Sequence, residues 1–123
     1  MKIKCIITDD EPIARKGLRG YIEKVDFLTL TGECEDAVQL NTILKTQEID
    51  LLFLDIEMPE MDGYVLTKNI KSDPRFEGVP VVMHSSLSSE ANRAMGKSVG
   101  VDTYVAKFDA EALADTLRPL IER

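Results

Sequence analysis

Residues 51–63 read LLFLDIEMPEMDG. Four apolar residues run straight into Asp55, and Pro59 and Gly63 follow. The run DLLFL (50–54) is nearly all apolar, the pattern of a strand buried on both faces of a parallel sheet. A carboxylate does not share that preference for burial. Asp55 is therefore either a turn or cap residue, or a group held at a strand end for chemistry. The flanking sequence decides between the two.

On either side of this strand, strand-like and helix-like segments alternate, five of each. KIKCIIT (2–8) is short and rich in β-branched residues, which predicts a strand. EPIARKGLRGYIEKV (11–25) predicts a helix. Pro12 suits its first turn, and Ala14, Leu18, Tyr21, Ile22 and Val25 recur at helical spacing. Gly17 and Gly20 weaken it by ~1 kcal/mol each. FLTLTGE (27–33) reads as the second strand and DAVQLNTILKT (36–46) as the second helix. After the third strand come the helix MDGYVLTKNIKS (61–72), the loop DPRFEG, and the strand VPVVMH (79–84). SSEANRAMGKSV (88–99) is a helix, with Gly100 suited to the left-handed position just past its end. VDTYVA (101–106) is the fifth strand and DAEALADTLRPLIER (109–123) the last helix, which Pro119 should kink or end.

The pattern predicts an α/β fold: a doubly wound, five-stranded parallel sheet with helices on both faces, formed by residues 1–123 as a single domain. The functional crevice of such a sheet lies at the carboxyl ends of its strands.

Composition narrows the function. The net charge is −7. Such an acidic balance argues against nucleic acid or an anionic membrane as partner and suits recognition by a protein with a basic rim. No apolar run approaches the ~20 residues of a membrane span. The N-terminus has no secretory signal pattern, so a cytoplasmic location is expected. Cys5 and Cys34 lie in apolar, strand-like stretches without metal-ligand spacing and read as buried thiols. The methionines are scattered and read as filler.

The residues just past the strands carry the chemistry. Asp9, Asp10 and Glu11 follow the first strand, Asp55 the third, Ser85 and Ser86 the fourth, and Lys107 the fifth. Taken alone, the first three are simply suited to a helix N-terminus. Together, crowded carboxylates call for a hard divalent cation, and Mg²⁺ takes one or two of them with waters and phosphate oxygens. Asp55 can then act as a nucleophile on a phosphoryl group, while Lys107 and the Ser85 hydroxyl meet its oxygens. His84, the only histidine, reads as a packed or hydrogen-bonded residue rather than a ligand.

ITDDEP, LDIEMPEMDG, VVMHSS and YVAK together resemble the receiver domain of bacterial two-component response regulators, across the whole chain. That resemblance implies the flavodoxin-like (βα)5 fold with strand order 2-1-3-4-5. It implies Asp55 as phosphoacceptor and Asp10 with Asp9 as the Mg²⁺ pocket, with the backbone carbonyl of Glu57 as a further ligand. Ser85 and Lys107 match the hydroxyl and lysine positions, Tyr104 the aromatic switch, and Glu57 and Leu87 the positions that tune phosphoryl lifetime. A histidine kinase or a small-molecule phosphodonor would supply the phosphoryl group. An output protein would read the face made by the fourth helix, fifth strand and fifth helix. No output domain follows within the 123 residues, so a stand-alone receiver is expected.

One departure stands out. Phe108 follows Lys107 where most receivers have a proline after a cis bond, and a cis bond here would cost ~3 kcal/mol. The N-terminal half is similar to receivers of LytTR-class response regulators. The C-terminal half, with VAKF, is similar to receivers of chemotaxis coupling proteins. The pairing suggests a chimera of two receivers with its seam within about 55–64.

Three other readings compete. A haloacid-dehalogenase-type phosphatase also uses a strand-end aspartate with a second acid two residues on, which DIE imitates, but its motif follows the first strand. A flavodoxin-like binding protein needs a Gly- and hydroxyl-rich loop where TDDEP stands. A receiver-like interaction module without phosphorylation would have no use for the full constellation.

Overall fold

The computed structural model describes residues 2–56, 61–85, 90–106 and 113–121, with the backbone alone at 85 and 90–93. Five strands, β1 (Ile3–Thr8), β2 (Leu28–Cys34), β3 (Leu51–Leu54), β4 (Val81–Ser85) and β5 (Thr103–Ala106), form one parallel sheet in the order β2-β1-β3-β4-β5. Five α-helices alternate with them: α1 (Pro12–Glu23), α2 (Ala37–Leu44), α3 (Gly63–Lys71), α4 (Glu90–Val99) and α5 (Leu113–Ile121). A 3-10 turn at Pro74–Phe76 closes the DPRFEG loop.

The apolar third strand is central. Leu51, Leu52, Phe53 and Leu54 are all fully buried. Alternate residues face opposite layers, as the two-residue period of a strand requires. Leu52 and Leu54 join Ile6, Val81 and Met83 against Leu40 and Leu44 of α2 and Leu66 and Ile70 of α3. Leu51 and Phe53 join Cys5, Ile7 and Val82 against Leu18 and Ile22 of α1 and Leu113 and Leu117 of α5. Each such side chain contributes roughly 1.5–3 kcal/mol by its burial. This two-sided burial is what obliges the sheet to carry helices on both faces.

Helix starts follow local chemistry. Asp36 accepts from the Gln39 amide at 2.9 Å, and Asp62 accepts from the Val65 amide at 2.9 Å. α1 begins on Pro12 without a side-chain cap from Glu11. Gly100 takes the left-handed conformation, φ 101°, just past α4.

One feature differs from the sequence reading, and another is not part of it. The sequence places a kink or an end at Pro119; α5 does not end there but runs on to Ile121. Proline forfeits one helical bond, to the Asp115 carbonyl, and Pro119 itself is exposed in the last turn of α5. The β1–β2 register also shifts: Cys5 pairs with Leu30 but Ile6 pairs with Gly32, leaving Thr31 as an extra residue. The Thr31 hydroxyl donates to the Cys5 carbonyl at 3.3 Å across this bulge.

Gly17 and Gly20 face open space, where an added Cβ meets nothing within 4 Å. Gly17→Ala and Gly20→Ala should therefore each stabilise the domain by about 1 kcal/mol. Urea unfolding checks this, and no gain in either variant would contradict it.

Candidate functional site

Strand order reverses between β1 and β3, so the chain departs in opposite directions from their carboxyl ends and leaves a crevice there. Register fixes what lines it. Thr8 pairs with Leu54, and Leu54 with Met83. One residue further along each strand stand Asp9, Asp55 and His84. Asp9 and Asp55 are 0 % and 3 % exposed, and Asp10 is exposed. Carboxylate oxygens of Asp9, Asp10 and Asp55 lie within 4.8 Å of one another.

Backbone bonds hold these acids in place. The Asp9 amide donates to the Cys34 carbonyl at 3.0 Å and the Asp55 amide to the Thr8 carbonyl at 2.9 Å, extending the sheet by one residue on each strand. Asp9 Oδ1 accepts from the Glu11 amide at 2.9 Å, and Asp55 Oδ1 accepts from the Ile56 amide at 2.8 Å. The acidic run therefore folds on itself, with Asp9 turned to the buried crevice and Glu11 making no cap bond to α1.

Two residues to which the sequence reading assigns no role support the crevice. Arg15, on the first turns of α1, donates from Nη1 to the Asp9 carbonyl at 2.7 Å. The same guanidinium lies 3.7 Å from Glu33 and 3.8 Å from Glu35. Arg15 thus ties the loop after β1 to the end of β2. Gly63 opens α3 with its amide donating to the Ile56 carbonyl at 2.8 Å. A Cβ on Gly63 would lie 2.1 Å from the Asp55 carbonyl oxygen, so only glycine permits this approach. A glycine in the first turn of a helix, where it lowers propensity, was the available signal.

On the α3–α4 side, Tyr104 and Tyr64 each pack against the core. The Tyr104 hydroxyl sits where a Cβ on Gly96 of α4 would be, 2.0 Å away. Burial and a hydrogen bond shared with Tyr104 push the Tyr64 phenol well above its ordinary range. Tyr104 is therefore held between α3 and α4 by a glycine notch and a second tyrosine.

His84 is 2 % exposed, as expected of a packed histidine, and its Nδ1 lies 3.7 Å from Asp9 Oδ2. Cys5 and Cys34 are buried free thiols, and burial pushes them up to about 12 and about 11, so both stay protonated.

The structure thus brings together Asp9, Asp10 and Asp55, and places Ser85 as the last residue of β4 and Tyr104 in β5. Glu57, Leu87, Lys107 and the Lys107–Phe108 bond lie outside the described residues. The three acids offer only oxygen ligands, two of them buried, which fits a hard divalent cation such as Mg²⁺. No described helix is long and apolar enough to cross a membrane.

A five-stranded parallel sheet in this order, with an acidic crevice at its switch point, is a flavodoxin-like fold of the receiver type. The response regulator receiver domain model matches residues 5–118, and the chain belongs to that family. It is 31 % identical over 126 residues to chemotaxis protein CheV3 of Helicobacter pylori, covering 96 % of this chain and 40 % of that protein. It is 30 % identical over 127 residues to response regulator Rre1 of Synechocystis, covering 98 % of this chain and 52 % of that protein. The chain thus spans about half or less of the length of these relatives. The receiver domain of the Francisella response regulator 1452 superposes with a TM-score of 0.80 at 26 % identity, over 99 % of this chain and 98 % of that one. Receiver domains are signalling modules rather than conventional enzymes.

Proposed function

We propose that this receiver works by transient, Mg²⁺-dependent phosphorylation of Asp55. The observation that carries the proposal is the convergence of Asp9, Asp10 and buried Asp55 within 4.8 Å at the switch point of a receiver-family sheet. Three like charges this close repel unless a cation offsets them.

Asp9, Asp10, Asp55 and the Glu57 carbonyl would hold Mg²⁺, which would supply charge neutralisation for the incoming phosphoryl group. The chain's own residues do the rest. The Ile56 amide fixes Asp55 Oδ1, which orients the other carboxylate oxygen, Oδ2, as nucleophile. A lone pair of that oxygen forms a bond to phosphorus, and the bond from phosphorus to the donor breaks with its electron pair leaving on the donor. Lys107 pairs with one phosphoryl oxygen and Ser85 donates to another. The donor is a histidine kinase or a small-molecule acyl phosphate. Water later attacks the aspartyl phosphate and resets the domain.

Ser85 ends β4 beside Ala106 of β5, two residues after Tyr104. A hydroxyl drawn towards the phosphoryl group would free space for the Tyr104 ring and remodel the α4–β5–α5 face, which an output protein reads. Relatives named as chemotaxis proteins support a place in chemotaxis signalling. CheV3 and Rre1 each align across both halves of the chain, so a seam at 55–64 between a LytTR-class and a coupling-protein parent draws no support from them and forms no part of the proposal.

Beryllofluoride, a stable stand-in for the phosphoryl group, tests the switch. With Mg²⁺ it should shift the amide resonances of Ser85 and Tyr104 in the wild type and leave them in place in Asp55→Asn. Equal shifts in both proteins, or none in the wild type, would overturn the reading.

A further inference from the structure

We propose that His84 is a positioning residue for the cation pocket, holding the Asp9 carboxylate in the orientation a divalent cation requires. This rests on the assignment of Asp9, Asp10 and Asp55 as that pocket.

The position of His84 is costly and specific. It lies on β4 between Met83 and Ser85, in the same row across the sheet as Val105. Its neighbours Val81, Val82 and Met83 are apolar and fully buried, as a central strand prefers. The imidazole is 2 % exposed, and its Nδ1 has no hydrogen-bond partner among the described residues. Leaving a buried polar nitrogen in that state costs about 1–3 kcal/mol. A valine here would avoid the cost.

Nδ1 faces Asp9 Oδ2 at 3.7 Å, across the end of β3. Asp9 Oδ1 is already held by the Glu11 amide. The two oxygens of one buried carboxylate are thus addressed by a backbone N–H and by an imidazole nitrogen. The gap to Oδ2 is about 0.5 Å beyond the upper limit of an N–H···O bond, so a small rotation of either side chain closes it.

His84 is not itself a ligand, because the mutually close ligand atoms come from Asp9, Asp10 and Asp55 alone among the described residues. It stands behind Asp9. An N–H donor behind a ligating carboxylate fixes its orientation, and losing such a partner costs a metal site about 10–100-fold in affinity.

The test is calorimetric titration with Mg²⁺, without phosphodonor, of wild type, His84→Val, His84→Phe and His84→Asn, each shown to be folded by its thermal melt. Valine and phenylalanine fill the space without an N–H, and either one suffices if the other does not fold. Both should bind Mg²⁺ about tenfold to a hundredfold more weakly. Asparagine places an amide N–H near the position of Nδ1 and should restore most of the affinity. Wild-type affinity in the valine or phenylalanine variant would overturn the inference, as would an asparagine variant no better than valine. A wild type that binds no Mg²⁺ would overturn the pocket assignment along with it.

Discussion

Gly63→Ala is expected to lower the stability of the domain by about 3 kcal/mol or more. The added Cβ would lie 2.1 Å from the Asp55 carbonyl oxygen, 3.0 Å from its carbon and 3.1 Å from Ile56 Cα. All three atoms are backbone, so no side chain can swing aside. Overpacking of this kind costs about 1–3 kcal/mol even where side chains yield. Here the start of α3 must also retreat, which breaks the Gly63 amide bond to the Ile56 carbonyl and adds about 1 kcal/mol. The shift would be passed directly to Asp55. A misplacement of about 1 Å at a reacting group costs roughly a hundredfold in rate, so phosphorylation of the variant should slow by that order. Urea unfolding and a time course with acetyl phosphate check both parts. A variant within 1 kcal/mol (on the order of one lost hydrogen bond) of wild type would refute the close approach. The same substitution at Gly17 is expected to stabilise, and the difference in sign comes from surroundings alone: open space at one glycine, the backbone of Asp55 at the other.

Mg²⁺ should stabilise the folded domain strongly. A ligand that binds only the native state contributes about 2.7 kcal/mol at a hundredfold excess over its Kd. Asp9→Asn should abolish most of that gain, because it removes one of three charges that converge within 4.8 Å while keeping the side chain's shape. Asparagine can still accept from the Glu11 amide, so the loop itself should persist. Thermal melts with and without MgCl₂, against NaCl of equal ionic strength, separate binding from screening. An Asp9→Asn variant stabilised as much as wild type would show that the cation sits elsewhere.

The sequence made the sheet legible because its middle strand, β3, is uniformly apolar. DLLFL cannot be half-exposed, and a strand buried on both faces demands helices on both sides. The site was legible for a related reason. Acids after a single strand suit a helix start, but acids after both the first and the third strand point to the functional edge of such a sheet, and Asp9, Asp10 and Asp55 do meet there. What stayed hidden depends on distance in space rather than on pattern. Arg15 reads as an ordinary charged residue of α1 until the helix is docked and its guanidinium reaches the Asp9 carbonyl. Nothing in the helix pattern of 61–72 singles out Tyr64, whose hydrogen bond with Tyr104 depends on how α3 and β5 are placed. The bulge at Thr31 leaves the apolar alternation of β2 intact enough to escape notice. Pro119 does not end α5, which carries the exposed proline in its last turn.

Phosphorylation of Asp55 with the help of a divalent cation, as proposed, should be visible directly. The most direct measurement is intact mass after incubation with acetyl phosphate, for wild type and Asp55→Asn, with Mg²⁺ and with a chelator. Wild type with Mg²⁺ should gain the mass of one phosphoryl group and lose it again once the donor is removed. The chelated sample and Asp55→Asn should gain none. A gain that survives Asp55→Asn, or a wild type unmodified in the presence of Mg²⁺, would contradict the account.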